Sequence, residues 1–265
     1  MLVEEFVSKF KEELKAKIAS FPNKPCMAII QVGDNPASNA YIKGKLKDSE
    51  ELGIKANLIK LDETISEGQL LNEIDMINKD PSVNGLIVQL PLPKTIDKKK
   101  VMLAIDPKKD IDGFHPLSTF TPCTPKGIIT YLKSENIDLT SKNVVIINRS
   151  EIVGRPLANY LITHDNCNVT VLNSRTKNDD LRNFIKNADL IVVGVGKKYF
   201  INSSYEFKSS AVLVDVGINR EDGVLYGDCE PNLKVALQTR VPKGVGLLTR
   251  ISLITNLLEA FKNGI

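Results

Sequence analysis

Residues 144–156 read VVIINRSEIVGRP, and this stretch decides the fold. An apolar run, a short polar turn and then a glycine before a helical pattern indicate a buried strand, a tight turn and a helix N-terminus. Such a unit can bind a pyrophosphate, because the free N–H groups of the helix face the anion. The turn lacks the GxGxxG spacing of the commonest dinucleotide motif, so a plain βα turn explains it equally well.

Apolar runs alternate with helical patterns on both sides of this stretch. We predict strands at 27–32, 56–61, 85–89, 144–147, 169–172, 190–195 and 212–216. We predict helices over the first twenty residues, at about 37–52, 68–77 and 125–132, after Gly154, and at 251–261. Continuous Val, Ile and Leu runs are typical of parallel strands that are buried on both faces. The pattern predicts an α/β fold with a mainly parallel sheet.

One segment, DPKKDIDGFHPLSTFTPCTP at 106–125, is rich in Pro, Asp and Thr and separates two strand–helix series. We place a hinge at 117–122. The first domain is then predicted at 1–117, with the final helix at 250–265 packing back on it. The second domain is predicted at 118–249.

The composition narrows the function classes. The chain of 265 residues has 35 Lys and Arg against 32 Asp and Glu, a net charge of +3 that predicts no nucleic-acid partner. No apolar run approaches the roughly 20 residues that span a bilayer, so we expect no membrane insertion. The cysteines lack CxxC spacing and the two histidines lack ligand spacing, which predicts no metal site and favours a cytoplasmic protein.

The strand that follows the opening turn bears on the choice of cofactor. NAD sites usually carry a carboxylate about 20 residues on, which binds the ribose 2′-hydroxyl. Here the strand runs into NSRT at 173–176, with no carboxylate. Ser174, Arg175 and Arg149 can instead donate hydrogen bonds to a 2′-phosphate, which favours NADP over NAD. The alternative for Arg175 is a solvated loop arginine, the commoner fate of a single arginine.

In the first domain, ASNAYIKGK at 37–45 places Ser38, Tyr41 and Lys45 on one helix face. A partly buried lysine can polarise an oxygen or nitrogen or relay a proton, and a tyrosine offers a stacking surface. The alternative is a surface lysine beside a half-buried tyrosine, and this residue pattern alone favours that alternative.

Two further polar positions lie at strand ends. Gln89 ends the apolar strand of GLIVQLPLP at 85–93, at the carboxyl edge where open α/β sheets bind ligands. It could orient a water or a side chain, or simply cap the backbone. In DIDGFHP, Asp110 and Asp112 share a face if the segment is extended, and one of them could bind an amino-pyrimidine edge. A turn-forming Asp before Gly is the alternative.

Together these stretches resemble the bifunctional methylenetetrahydrofolate dehydrogenase/cyclohydrolase family, usually called FolD. The resemblance covers nearly the whole chain in order, from VGDNPASNAYIKGKLKDSEELGI through GLIVQLPLP, KDIDGFHP, PCTPKGI, NRSEIVGRP, NSRT, ADLIVVGVGK and VDVGIN to VPKGVGLLT. It implies a folate-binding domain and a Rossmann-like NADP domain that flank a cleft, in a homodimer that binds tetrahydrofolate derivatives.

The resemblance also implies roles for single residues. Lys45 is the key catalytic group, Gln89 tunes it, Tyr41 stacks on the folate and Asp112 holds the pterin. Further substrate contacts fall on Ser38, Leu90 and Pro242. The implied cofactor-binding residues are Asn148, Arg149, Ser150, Gly154, Ser174, Arg175, Gly196, Ile218, Gly246 and Thr249.

Several positions depart from the family pattern. Asn148 replaces the glycine of a GRS turn, Asn173 replaces a histidine, and Lys243 and Leu247 replace a glycine and a proline. The stretch between His115 and Pro122 is also shortened.

From the resemblance we expect NADP-dependent oxidation of methylenetetrahydrofolate followed by hydrolysis. The alternatives are a protein that works mainly as a cyclohydrolase, a folate- or nucleotide-binding protein without turnover, and a different Rossmann oxidoreductase.

Overall fold

A computed structural model describes Met1–Ile265, which divide into two compact units. The N-terminal unit comprises Ser8–Cys123 and Arg250–Ile265, and the C-terminal unit comprises Met1–Val7 and Thr124–Thr249. This division falls a few residues after the expected hinge at 117–122, and the first seven residues belong to the C-terminal unit. The assignment of folate binding to 1–117 with 250–265, and of NADP binding to 118–249, stays a prediction.

The N-terminal unit is built on a parallel sheet of three strands in the order β2-β1-β3. The strands are β1 at Cys26–Val32, β2 at Lys55–Leu61 and β3 at Gly85–Val88. The helices of the chain up to this point are α1 at Val3–Ala19, which begins in the C-terminal unit, α2 at Pro36–Leu52, α3 at Glu67–Lys79 and α4 at Lys98–Ala104. Every residue of β1 and β3 is buried, as expected for strands covered on both faces.

The start of α2 is fixed by its own sequence. The Asn35 side chain accepts hydrogen bonds from the backbone N–H groups of Ala37 and Ser38, and Pro36 occupies the first helical position. Both features are typical of helix N-termini. Since β1 ends at Val32, α2 begins at the carboxyl edge of the central strand.

The C-terminal unit contains a parallel sheet of five strands in the order β10-β7-β6-β4-β5. These strands are β4 at Asn143–Ile147, β5 at Asn168–Val171, β6 at Leu190–Val193, β7 at Val212–Asp215 and β10 at Leu237–Gln238. The remaining elements are α5 at Cys123–Ser134, α6 at Gly154–His164, α7 at Asn178–Asn187, the hairpin β8 at Asn219–Glu221 with β9 at Val224–Tyr226, and α8 at Val245–Lys262. The chain order reverses between β4 and β6, which makes their carboxyl ends a switch point where α/β sheets bind ligands.

The predicted α/β class with parallel sheets is confirmed, and the final helix joins the N-terminal unit from Arg250 onward. The helices α4 and α7 and the strands β8, β9 and β10 were not predicted, because they are short or largely exposed. The stretch VPKGVGLLT at 241–249 becomes helical at Val245, six residues before the predicted start of the final helix. No helix is long and apolar enough to cross a bilayer.

Candidate functional site

The N-terminal unit brings two predicted side chains together at the end of β3. The Lys45 Nζ donates a hydrogen bond to the Gln89 Oε1 at 3.1 Å. Lys45 projects from α2 and is only 7% exposed, whereas Gln89 follows the last residue of β3 directly. The surface-lysine alternative is therefore wrong, because a solvated surface lysine would be exposed.

The orientation of the Gln89 amide is determined by a second contact. Its Nε2 donates to the Leu90 carbonyl at 2.9 Å, which leaves the amide oxygen to face Lys45. The Ser38 hydroxyl donates to the same carbonyl at 3.1 Å. Ser38 and Lys45 thus lie on the α2 face that meets the end of β3, as their spacing predicts.

Tyr41 lies between these two residues along α2 and is half-buried. Burial raises the pKa of its phenol, and the positive charge of Arg250 opposes that rise. The hydroxyl therefore stays protonated near neutral pH. A neutral, half-buried ring is suited to stacking on an apolar or aromatic ligand.

One turn after Lys45, α2 carries a partly buried ion cluster. Asp48, 2% exposed, pairs with the Lys11 Nζ at 2.5 Å and with the Arg250 Nε at 2.8 Å. The Arg250 guanidinium lies so close to α2 that a Cβ on Gly44 would be 2.2 Å from its Nη1. This packing fixes the helix that carries Lys45.

Residues 110–113 form a turn, so of the two arrangements that the sequence left open the structure has the turn-forming Asp before Gly and not the extended segment. The Gly113 N–H donates to the Asp110 carbonyl at 3.0 Å, and the His115 N–H donates to the Asp110 side chain at 2.7 Å. Burial raises the pKa of the Asp110 carboxyl group to about 6, against the hydrogen bond that the carboxylate accepts from the His115 N–H. Asp112 is more exposed, which leaves it the one of the pair that can reach a ligand.

In the C-terminal unit, the turn after β4 is held by the Asn148 side chain. Its Oδ1 accepts the Ser150 N–H at 2.9 Å, the Ser150 hydroxyl at 2.7 Å and the Gly154 N–H at 3.1 Å. A Cβ on Gly154 would lie 1.8 Å from the Asn148 carbonyl oxygen, so only glycine fits where α6 begins. The Gly154 N–H donates to Asn148 and is therefore not free, which fits the plain βα turn that the sequence left open beside a pyrophosphate site.

A cavity of about 430 Å³ opens beside this turn. Of the predicted cofactor residues, Asn148, Arg149 and Ser174 line it. The rest of the lining includes Asn173, Thr176, Asn178, Gly194, Lys197, Phe200 and Tyr205, with no carboxylate among the lining residues. Sequence reasoning missed Lys197, although it closes the predicted GVGK stretch just after β6 and so could have been found from the carboxyl-edge rule.

The other predicted residues lie outside this lining. Arg175, Gly196, Ile218, Gly246, Ser150 and Gly154 are not among the cavity residues. Thr249 hydroxyl pairs with Thr124 at 2.9 Å, and Pro242 borders a separate cavity of about 590 Å³ in the same unit. The structure therefore gathers the cofactor candidates only in part.

Two buried carboxylates, Asp215 and Asp228, lie in the C-terminal unit outside the lining of the cavity beside the β4 turn, and no local sequence pattern indicated them. Asp215 ends β7 and is 2% exposed, and burial raises its pKa to about 6. Asp228 is fully buried and accepts backbone N–H groups from Val195, Gly196 and Lys197 at 2.5, 2.9 and 2.8 Å.

The fold and these two sites define an α/β protein with a dinucleotide-type switch point in one unit and a buried lysine–amide pair in the other. Residues 1–112 match the catalytic domain of the tetrahydrofolate dehydrogenase/cyclohydrolase family, and residues 122–265 match its NAD(P)-binding domain. The chain belongs to this family.

Curated relatives and solved structures match this chain along nearly its whole length. The bifunctional protein FolD of Oceanobacillus iheyensis is 44% identical, over 97% of this chain and 95% of its own length. The crystal structure of the bifunctional enzyme FolD from Campylobacter jejuni has a TM-score of 0.94 and 40% identity, and covers 100% of this chain and 99% of that one. The Trypanosoma brucei enzyme complexed with NADP cofactor and inhibitor has a TM-score of 0.93 and 25% identity, covering 99% and 97%.

Proposed function

We propose that this chain oxidises 5,10-methylenetetrahydrofolate with NADP and hydrolyses the methenyl product to 10-formyltetrahydrofolate. The observation that carries the proposal is the hydrogen bond from buried Lys45 to Gln89 at the end of β3. A pure binding protein needs no such lysine. Membership of the family and the bifunctional relatives support the same activity.

We assign the folate-binding role to the N-terminal unit. Tyr41 provides the stacking surface, Asp112 accepts hydrogen bonds from the pterin, and Ser38 and Leu90 shape the end of β3 beside Lys45. A carboxylate suits an amino-pyrimidine edge because it accepts two charge-assisted hydrogen bonds. Pro242, the remaining substrate candidate, lies in the C-terminal unit.

In the hydrolysis step, water adds to the methenyl carbon and loses a proton. The bond from that carbon to N5 then breaks while the new hydroxyl gives up its proton to form the formyl C=O and N5 gains a proton, so that one proton is released overall. Lys45 is assigned the proton transfer, because its Nζ is the one basic group held by Gln89 at this strand end. Gln89 restricts the lysine to one orientation, since its own amide is tethered to the Leu90 carbonyl. General acid–base catalysis of this kind contributes about 10²- to 10⁴-fold in rate.

The cavity beside the β4 turn fits NADP better than NAD. It is lined by Arg149, Lys197 and Ser174 and by no carboxylate, so a 2′-phosphate would meet two cations and a hydroxyl donor. The carboxylate that binds a free ribose hydroxyl in NAD sites has no counterpart among the lining residues. NADP, when bound, supplies the hydride acceptor for the oxidation step.

A spectrophotometric assay tests both steps with the purified protein. We expect methenyltetrahydrofolate to form from methylenetetrahydrofolate with NADP, more slowly with NAD, and preformed methenyltetrahydrofolate to be hydrolysed. Loss of both reactions would reject the enzyme assignment and favour a folate-binding protein.

A mainly hydrolytic protein is the second candidate, and two observations favour it. Asn148 fills the turn after β4 and bonds the Gly154 N–H that would otherwise meet a pyrophosphate. Lys243 adopts a left-handed φ of 72°, a conformation that favours glycine, the residue expected there from the resemblance. Hydrolysis without NADP-dependent oxidation in the same assay would decide for this candidate.

We also propose a cytoplasmic homodimer. The resemblance to the family supports the dimer, and the wide spacing of the four cysteines in the sequence, with no CxxC pair, fits a reducing compartment. Light scattering on the purified protein tests the dimer, whose expected mass is twice the 29.3 kDa of the chain.

A further inference from the structure

The segment 194–197, GVGK, leaves the end of β6 and forms part of the wall of the cofactor cavity. It has no helical or strand structure, and Gly196 has a left-handed φ of 69°. Its shape therefore depends on whatever satisfies its backbone polar groups. A glycine-containing turn with successive N–H groups is also the usual form of a phosphate-binding nest.

Two side chains distant in sequence satisfy these groups. The Asn148 Nδ2 donates to the Gly194 carbonyl at 2.6 Å. The Asp228 carboxylate accepts the N–H groups of Val195, Gly196 and Lys197. The nest is thus already occupied by a carboxylate from the same chain, and it has no N–H group left for a phosphate.

Asp228 also reaches a second loop. Its Oδ1 accepts the Asn219 Nδ2 at 2.9 Å, and Asn219 follows Ile218, one of the predicted cofactor residues. Asp228 is fully buried and is not among the residues that line the cavity. One carboxylate therefore joins the segment after β6 to the segment after β7 from behind the cavity wall.

We propose that Asp228 is a positioning residue of the NADP site. It fixes the wall segment 194–197, and with it the side chain of Lys197, without touching the cofactor. The inference rests on the proposed NADP function and deepens it. It also reassigns Gly196, whose N–H serves Asp228 and binds no phosphate.

The variant Asp228→Asn tests the proposal, because it keeps the size of the side chain but directs an NH₂ group or a weaker acceptor at three N–H donors. Hydrogen bonds to charged groups contribute enough that we expect the KM and the Kd for NADP to rise by about tenfold. The kcat at saturating NADP should stay within about twofold, because the hydride-transfer groups are untouched.

Asp189→Asn is the matched control. Asp189 also accepts a backbone N–H, from Asn143 at 2.8 Å, and pairs with Lys208, but it precedes β6 at the opposite edge of the sheet. It should lower the melting temperature and leave the KM for NADP unchanged. An Asp228→Asn protein that is destabilised like this control but keeps the wild-type KM would overturn the proposal.

Asn219→Ala provides a milder second variant if Asp228→Asn does not fold. It removes one of the four partners of Asp228, and we expect a rise in the NADP Kd of roughly two- to threefold. Amide hydrogen exchange at 195–197 should quicken in both variants. A wild-type Kd together with wild-type exchange would reject the positioning role.

The failure of the proposed function has a different signature. A wild-type protein that oxidises no methylenetetrahydrofolate and binds no NADP by calorimetry would reject the NADP assignment and, with it, the positioning role toward NADP. A wild-type protein that does both, with variants unchanged in NADP affinity, would reject Asp228 alone.

Discussion

In the N-terminal unit the candidate catalytic side chains project from α2 and from the end of β3. In the C-terminal unit, by contrast, the cofactor cavity is lined largely by loop segments. Lys45 and Gln89 belong to regular elements or to their first following residue. The segment 194–197 is instead held by Asp228, about thirty residues away in sequence. The first site is organised by helix periodicity and strand ends, and the second by long-range hydrogen bonds.

This difference teaches where single substitutions should act. A substitution of Lys45 on α2 removes a chemical group while other residues keep the backbone in place. A substitution of Asp228 instead alters the backbone of the segment 194–197 that it holds. Substitutions in the N-terminal unit should therefore lower the rate of the reaction, and substitutions in the C-terminal unit should lower the affinity for the cofactor.

The largest expected effect is on hydrolysis. Lys45→Met keeps a long apolar side chain on α2 but removes the amine that bonds Gln89, and we expect hydrolysis of preformed methenyltetrahydrofolate to fall by about 100-fold or more. Lys43→Met, an exposed lysine on the same helix, is the control and should keep the wild-type rate. A Lys45→Met protein as fast as this control would remove the basis of the comparison.

The second effect is on cofactor choice. Ser174→Asp places a negative charge in the cavity lining, and the Kd for NADP should rise by about 10- to 100-fold while that for NAD changes little. Arg175→Ala should matter much less, because Arg175 is exposed and outside the lining. Calorimetric titrations with both cofactors measure this, and equal losses for NADP and NAD would contradict the assignment of the 2′-phosphate.

The third effect concerns the packing beneath Lys45. Gly44→Ala brings a Cβ to 2.2 Å from the Arg250 guanidinium, so the free energy of unfolding should fall by about 1–3 kcal/mol. Gly68→Ala, in the first turn of α3, meets nothing within 4 Å and should be neutral or slightly stabilising. Urea unfolding compares the two, and equal stabilities would show that Arg250 moves aside without cost.

The smallest effect is a pH dependence. The pKa of Asp110 is raised by burial from 3.8 to about 6, so the unfolded chain loses this proton at lower pH than the folded one. Its contribution to the free energy of unfolding is therefore most favourable below pH 3.8 and declines as pH rises to about 6. Asp110→Asn should remove a decline on the order of 1 kcal/mol across that window.

Denaturant unfolding at several pH values measures this slope. Asp62→Asn is a control of opposite sign, because hydrogen bonds from Thr64 lower the pKa of that exposed carboxyl. An Asp110→Asn protein with the wild-type slope would show that another group titrates in this window.

The difference between local patterns and long-range hydrogen bonds also decides how much of the fold and of the sites could be predicted from the sequence. The parallel α/β class, the helix face of Ser38 and Lys45, and the position of Gln89 follow from periodicity and from strand ends, which are local properties. The sequence left the turn at 110–113 and an extended segment as alternatives, because the hydrogen bond from Gly113 to Asp110 that sets the shape cannot be read from the residue pattern alone. Asp228 could not be found locally, since its partners lie in two other segments of the chain.

The central claim is that one chain carries two sites whose losses are separable. Calorimetric titration of NADP into Lys45→Met, prepared in parallel with the wild-type protein, tests it most directly. We predict an NADP Kd within about twofold of the wild-type value in a protein that no longer hydrolyses methenyltetrahydrofolate, because Lys45 and the cofactor cavity belong to different compact units. A loss of NADP affinity in step with the loss of hydrolysis would contradict the account.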